Sequence, residues 1–334
     1  MRLNSLRLWR LADRSTNRTI DLNIERTCVA QGRDHETDRS KAFTAFGLRA
    51  EAERIAPGLH VVATPIGNLR DISLRALSTL AAADAVIAED TRVTKTLLAH
   101  YGIATPLIAY HEHNAHVVRP QLLARLSGSG ALALVSDAGT PLVSDPGFKL
   151  VTEAVAAGVA VTSVPGASAV LAALVVAGLP TDRFFFEGFL PSKSAARRAR
   201  LAELAAVPGT LVFFESARRV AETLADCAAV LGGREAAVAR ELTKHFESVR
   251  RGPLPELARE VAEGEPLRGE IVLLVGPPVE GAAEISEASL DERLRAAMKA
   301  NSVKDAAAIV AGETGQPRRR VYARALQLAS EREG

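Results

Sequence analysis

The chain is poor in cysteine, in aromatic residues and in charge of any one sign. It has 2 cysteines in 334 residues, Cys28 and Cys227, and neither has a partner at metal-ligand or redox spacing. That excludes a disulfide framework and predicts a reducing, cytoplasmic setting. Aromatic residues are 4% of the chain, and alanine and arginine dominate, a bias that says little about function. No apolar run reaches the length of a membrane span. The arginines near the start are followed by no continuous apolar stretch, which argues against a secretory signal. Net charge is +2; residues 1–56 carry +3 and the remainder −1. The chain is therefore not basic overall, and any nucleic-acid contact must come from local clusters. Three catalytic signatures are also missing. There is no GxxxxGK followed by Ser or Thr, no GxGxxG after a strand with an acidic residue about twenty positions on, and no GxSxG elbow. These gaps exclude P-loop, nicotinamide-binding and serine-hydrolase readings.

What is present is a globular chain, 48% hydrophobic, long enough for two or three domains. Residues 1–56 show no sustained period of 2 or 3.6, which predicts a disordered extension. From Leu59 the texture changes. Apolar runs at 59–65, 85–90, 131–137 and 159–165 alternate with helical spacing at 73–83, 91–102, 148–157 and 167–178. A second series starts at Arg183, with strands at 183–189, 210–216, 235–241 and 269–276 and a possible antiparallel one at 246–252. The expected fold class is α/β. Mostly parallel sheets would form a domain at 57–180 and another at 181–278. An acidic, Ala-rich linker at 279–288 would lead to a small helix-turn-helix-like domain at 289–334.

Ligands of open α/β sheets sit beyond the carboxyl ends of the strands. Here three successive strand ends run into TPIGN (64–68), DAGTPLVSDPG (137–147) and PGASAV (165–170). Each combines Gly, Pro and small polar residues, which let backbone approach a ligand closely. One such loop would be mere punctuation; three together predict a ligand cleft. His111, His113 and His116 form HEHNAH in a polar loop, where a hydrogen-bonding or substrate-side role is favoured over metal ligation. No metal site is expected.

In order along the chain stand AEDTR (88–92), YHEHN (110–114), SDAGTPLVSDPG (136–147), PGASA (165–169), GFLPSK (188–193), FESARR (214–219), ARELTKHFE (239–247) and GEIVLLVG (269–276). Together they resemble the tetrapyrrole-methylase superfamily, and within it the ribosomal RNA branch. The resemblance covers 58–278 densely and extends more thinly over 289–330. It implies a two-domain fold that binds S-adenosylmethionine between the domains in a folded conformation, and a homodimer. By motif, the cofactor residues would be Pro65, Ile66 and Gly67; Asp137, Ala138, Gly139, Thr140 and Pro141; Ser168 and Ala169; and, on the adenine side, Phe214 and Ala239. Asp137 and Asp145 are then shapers of the cofactor cradle, not catalysts. Asn68 and Thr140 stand where the tetrapyrrole pattern has acidic residues, which argues against a porphyrin-like substrate.

The reaction implied is S-adenosylmethionine-dependent 2′-O-ribose methylation of a cytidine in small-subunit (16S) ribosomal RNA, with the small ribosomal subunit as partner. The alternatives are methylation of a tetrapyrrole and a non-catalytic RNA-binding role. Basic clusters give the physical case for RNA: Lys193, Arg197 and Arg198 after GFLP, Arg218 and Arg219 after a strand end, Lys244 after another, and Arg318–Arg320 with Arg324 near the C-terminus. Such clusters otherwise serve as solvated helix faces. Candidate catalytic residues are Glu89, Asp90 and Lys193, with Glu215 a further carboxylate at a strand end. Asp90 precedes Thr91 at a helix start and is read first as a cap; Glu89 is the better candidate base.

Overall fold

A computed structural model of the chain describes residues 41–143, 147–278, 287–299, 301–314 and 318–333. Residues 1–40, most of the expected linker, Cys28 and Asp145 lie outside the described residues. Residues 41–56, expected within a disordered extension, instead contain a β-hairpin of β1 (Ala42–Ala45) and β2 (Leu48–Glu51). Its Phe43 is buried against the first core, with Leu77, Leu80 and Tyr101. Four-residue strands are too short for alternation to show, so sequence period could not reveal them.

The first sheet follows the strand–helix rhythm closely. Its strands are β3 (Gly58–Val62), β4 (Ala85–Ala88), β5 (Leu107–Ala109), β6 (Ala131–Leu134) and β7 (Val161–Val164). They lie in the order β5-β4-β6-β3-β7, every pair parallel. The crossovers contain α1 (Leu74–Ala82), α2 (Thr91–His100), α3 (Ala115–Ser127) and α4 (Phe148–Ala156). Ser73 caps α1 by accepting from Ala76 N, and Asp90 caps α2 by accepting from Arg92 N. β4 and β6 are buried on both faces, as a sheet covered by helices requires.

The second sheet departs from the expected parallel arrangement. Its strands are β8 (Phe184–Phe189), β9 (Thr210–Ser216), β10 (Glu235–Arg240), β11 (Ser248–Pro253) and β12 (Glu270–Val275), in the order β11-β10-β12-β9-β8. Only β8 and β9 pair in parallel; the other neighbours are antiparallel. The reason is one reversal. The helical crossovers α6 (Ser194–Leu204), α7 (Val220–Leu231) and α8 (Leu254–Glu263) each return the chain in the direction it left, but the short β10–β11 connection turns it round. β12 then inserts between β9 and β10, opposed to both.

Alternation along these strands builds two cores from one sheet. Leu211, Phe213, Val238 and Leu273 face α6, α7 and α8. Val212, Ala237, Ala239, Val272 and Leu274 face α5 (Ala169–Ala177), the helix that follows β7. Ala237 and Ala239 are small, which lets α5 pack closely on this face. The apolar α5 thus belongs to the first series by sequence and to the second sheet by packing. Among the described residues, α9 (Glu287–Ala297), α10 (Val303–Thr314) and α11 (Arg318–Glu333) close their own core of Leu290, Leu294, Val310, Val321 and Leu328. Arg324 forks onto buried Asp291 with both contacts at 2.7 Å, so its guanidinium holds this core together.

Below the second sheet, Arg197 is 1% exposed and donates to Asp226 at 2.7 Å. Burial works against the charge on Asp226, but hydrogen bonds from Arg198, Arg197 and Ser194 outweigh it and hold the carboxyl below its ordinary range. The stabilisation is present above the usual carboxylate pKa of about 3.9 and is lost as pH falls through the lowered one. Asp226→Ala strands a buried guanidinium and should cost about 3–5 kcal/mol, measured as a fall in the urea-unfolding midpoint.

Candidate active site

The three strand-end loops meet. Thr64, just past β3, and Gly139, past β6, exchange backbone hydrogen bonds, Thr64 N to Gly139 O at 2.9 Å and Gly139 N to Thr64 O at 3.1 Å. Thr140 Oγ1 donates to Ala167 O at 3.0 Å and joins the loop before α5. Where the tetrapyrrole pattern has an acidic side chain, this threonine fastens two loops together. Gly139 sits at φ +80°, and a Cβ there would lie 3.1 Å from Ile66 Cγ2. Glycine is therefore required twice, for the left-handed backbone and for the close approach.

Two adjoining cavities flank this ridge. The first, of about 400 Å³, is lined by Ile66, Ala138, Gly139, Thr140, Ser168 and Ala169 from the loops. The second sheet roofs it with Phe214, Ala239 and Val272. Phe214 meets Phe186 and Phe189 edge to face, with ring centroids 4.9 and 5.7 Å away. The second cavity, of about 430 Å³, lies on the other side and is lined by Pro65, Gly67 and Asp137 together with Val93, Thr94, Thr96 and Leu97 of α2. Ile66, Ala138 and Glu270 line both.

Eight of the expected cofactor residues, Ile66, Ala138, Gly139, Thr140, Ser168, Ala169, Phe214 and Ala239, thus converge on the first cavity. Pro65, Gly67 and Asp137 face the second instead, and Pro141 is buried and lines neither. Phe189, Val143 and Leu242 line the first cavity and were not foreseen. An aromatic at the end of the FFFEGF strand was the available signal for Phe189.

The catalytic and RNA-facing expectations need several corrections. Asp90 forks onto Arg92, with Nη2 to Oδ2 at 2.6 Å, and also accepts from Arg92 N. These contacts hold its carboxyl at about 2, so it is a helix cap and a poor base. Its own N–H donates to Asp137 Oδ1 at 3.1 Å. Glu89, half-buried just past β4, precedes Asp90 in the chain and lines neither cavity. Glu215 is buried at the edge of the first cavity, but it accepts from Ser216 N and Thr223 Oγ1 and pairs with Arg219.

Arg197 is buried and cannot meet RNA; it serves Asp226 and donates to Ser192 O. Arg219 is likewise engaged, donating to Leu190 O at 2.8 Å and Pro191 O at 3.2 Å. These two arginines fasten the GFLPSK loop from beneath. Lys193, Arg198 and Arg218 remain exposed, with Arg198 also donating its Nε to Asp226 at 2.5 Å. Lys244 is held between Glu241 and Glu270 at 2.8 Å each, so its charge is already answered. Its stem fills the space above Gly67, where a Cβ would lie 2.4 Å from Lys244 Cγ. Arg319 and Arg320 are exposed, and the side chain of Arg318 lies outside the described residues. The His111 loop is closed by Asn114, which accepts from His111 N and donates to Ala109 O. Among the described residues, no group of three or more His, Cys, Asp or Glu is placed to hold a metal ion.

Residues 58–258 match the model of the Tetrapyrrole (Corrin/Porphyrin) Methylases. The chain belongs to the tetrapyrrole methylase family. Residues 284–329 match a second model, the RsmI C-terminal HTH domain. The chain is 51% identical to the ribosomal RNA small subunit methyltransferase I of Mesorhizobium japonicum over 83% of its length and 94% of that protein's. It is 52% identical to the protein of that name from Xylella fastidiosa, covering 80% and 98%, and 50% identical to that of Pseudomonas aeruginosa, covering 80% and 96%. These relatives place the chain in the methyltransferase I branch of the family, and with it among methyltransferases. Among solved structures, diphthine synthase superposes with a TM-score of 0.52 at 19% identity, covering 65% of this chain and 89% of that one. A conserved hypothetical protein from Aeropyrum pernix K1 does so with 0.52 at 18%, covering 83% and 98%. Both show the methylase fold.

Gly139→Val would force a β-branched residue to positive φ and drive its side chain against Ile66. Cofactor affinity, read by calorimetry on the folded variant, should fall at least about tenfold, the equivalent of roughly 1.4 kcal/mol.

Proposed function

We propose that the chain transfers a methyl group from S-adenosylmethionine to the 2′-hydroxyl of a cytidine ribose in small-subunit (16S) ribosomal RNA. The observation that carries this reading is the pair of adjoining cavities built on the family's own loops, in a chain half identical to proteins named for ribosomal RNA methylation. The first cavity fits the cofactor. Its apolar roof of Phe214, Ala239 and Val272 suits an adenine, and the Thr140 and Ser168 loops present backbone polar groups to the amino-acid end. When bound, the cofactor supplies a methyl group on a positively charged sulfur, a good leaving group.

The chain's residues would do the rest. The zipped loops fix the cofactor's position, and alignment of this kind is worth several kcal/mol. Glu89, next in the chain to the Asp90 whose N–H bonds Asp137 of the second cavity, is the residue we assign to accept the hydroxyl proton; Lys193, exposed on a loop fastened by Arg197 and Arg219, is assigned to orient phosphate. Lys193, Arg198 and Arg218 then form the RNA-facing rim, and Arg197, Arg219 and Lys244 support it. The reading includes the domain division at 57–180, 181–278 and 289–334, a cytoplasmic setting and action on the small ribosomal subunit. Among the described residues, no helix is long and apolar enough to cross a membrane. A homodimer is part of the reading. Exposed apolar side chains on α4, α5 and β8 support it, among them Phe148, Val155, Leu171, Val175 and Phe184.

The test is transfer of a tritiated methyl group to assembled small subunits, to naked small-subunit RNA and to a porphyrin precursor. Label should enter RNA at a cytidine ribose. Label in the porphyrin precursor alone would favour the tetrapyrrole reading, and label in none of the three would overturn the proposal.

A further inference from the structure

We infer that the second cavity receives the target nucleoside, with the Asp137 carboxylate reading its base as cytosine. The inference rests on the function proposed above and names the part of the site that selects the substrate.

Position is the first argument. Methyl transfer requires two ligands to meet, and the two cavities share Ile66, Ala138 and Glu270 as common wall. A cofactor in one and a nucleoside in the other would abut there. At about 430 Å³ the second cavity lies within the range of small-molecule sites, roughly 300–1,000 Å³.

Chemistry is the second. Pro65, Leu69, Val93 and Leu97 give the cavity apolar walls against which a flat base can lie. Such walls receive a base that has left its stack. Asp137 is exposed into this space. Its Oδ1 accepts from Asp90 N, and among the described residues its Oδ2 takes no hydrogen bond. Cytosine offers an amino donor at N4, which a carboxylate accepts; uracil offers a carbonyl at the same place, which a carboxylate repels.

The approach to the cavity is the third. Arg70 follows Leu69, and Lys95 lies between lining residues Thr94 and Thr96; both are exposed and cationic. They stand where the phosphates on either side of an inserted nucleotide would need a counter-charge. The Asp90–Asp137 bond also ties the base-reading carboxylate to the strand end that carries Glu89. Recognition of the base and acceptance of the ribose proton are thus placed on two neighbouring strand ends joined by one hydrogen bond.

The test uses the full chain and two small-subunit RNAs that differ only in cytidine or uridine at the labelled position. In Asp137→Asn the amide oxygen can keep Asp90 N while the amino group turns into the cavity and donates to uracil O4. Asp137→Asn should bind S-adenosylmethionine within about twofold of the parent. Its kcat/KM on cytidine RNA should fall at least about tenfold, and its cytidine-to-uridine preference should fall by as much, within the range for one base contact. Thr96→Trp, at an exposed lining position, should raise KM for RNA at least about tenfold with cofactor affinity unchanged. An unaltered base preference in Asp137→Asn, or loss of cofactor binding in it, would overturn the inference, as would an unaffected Thr96→Trp. If the parent chain labels no RNA at all, the proposed function falls and this inference with it. If the parent labels RNA and the variants behave like it, only this inference falls.

Discussion

The reciprocal backbone pair between Thr64 and Gly139 organises the ligand-facing side of the molecule. Two loops that leave parallel strands would ordinarily diverge, each with unpaired backbone groups. Here each supplies a donor and an acceptor to the other. The result is a ridge that stands between two cavities and lines both. Everything attached to the ridge inherits its position: Ile66 against Gly139, Thr140 on Ala167, and through Ala167 the start of α5. The backbone at Gly139, φ +80°, would strain a residue with a side chain, and glycine adopts it without that cost.

α5 carries that order across to the second sheet. Its apolar face rests on Ala237, Ala239, Val272 and Leu274, and the small alanines leave both close packing and, at Ala239, room for a ligand. The chain reversal between β10 and β11 matters here as well. It allows β12 to lie beside β9, so that Val272 and Phe214 come into register as cross-strand partners above the first cavity. A wholly parallel sheet would not produce that pair.

Charge is used mostly for structure. Arg197 and Arg219 lie in basic clusters of the chain, yet both direct their donors to main-chain carbonyls of the GFLPSK loop and to buried carboxylates. The underside of the loop is hydrogen-bonded, and Lys193 stays exposed at its end while Arg197 and Arg219 are turned inward. Asp90 shows the same economy among acids, since capping α2 and pairing with Arg92 leave it ionised and chemically quiet.

The sequence by itself determined the α/β class, the alternation of the first sheet, and the three ligand loops. Those features rest on local chemistry: apolar period, caps, and turns that need Gly, Pro or small polar residues. It also determined most of the first cavity, because the loops that approach a ligand by backbone are recognisable from their own residues. Tertiary structure alone decided the direction of β11 and β12, the short hairpin at Ala42–Glu51, the division into two cavities, and which cations remain free. The fate of the cations depends on partners far along the chain, as Asp226 is for Arg197, Leu190 for Arg219 and Glu270 for Lys244. A run of arginines looks the same in sequence whether its charges face water or a buried carboxylate; only the packing beneath it tells them apart.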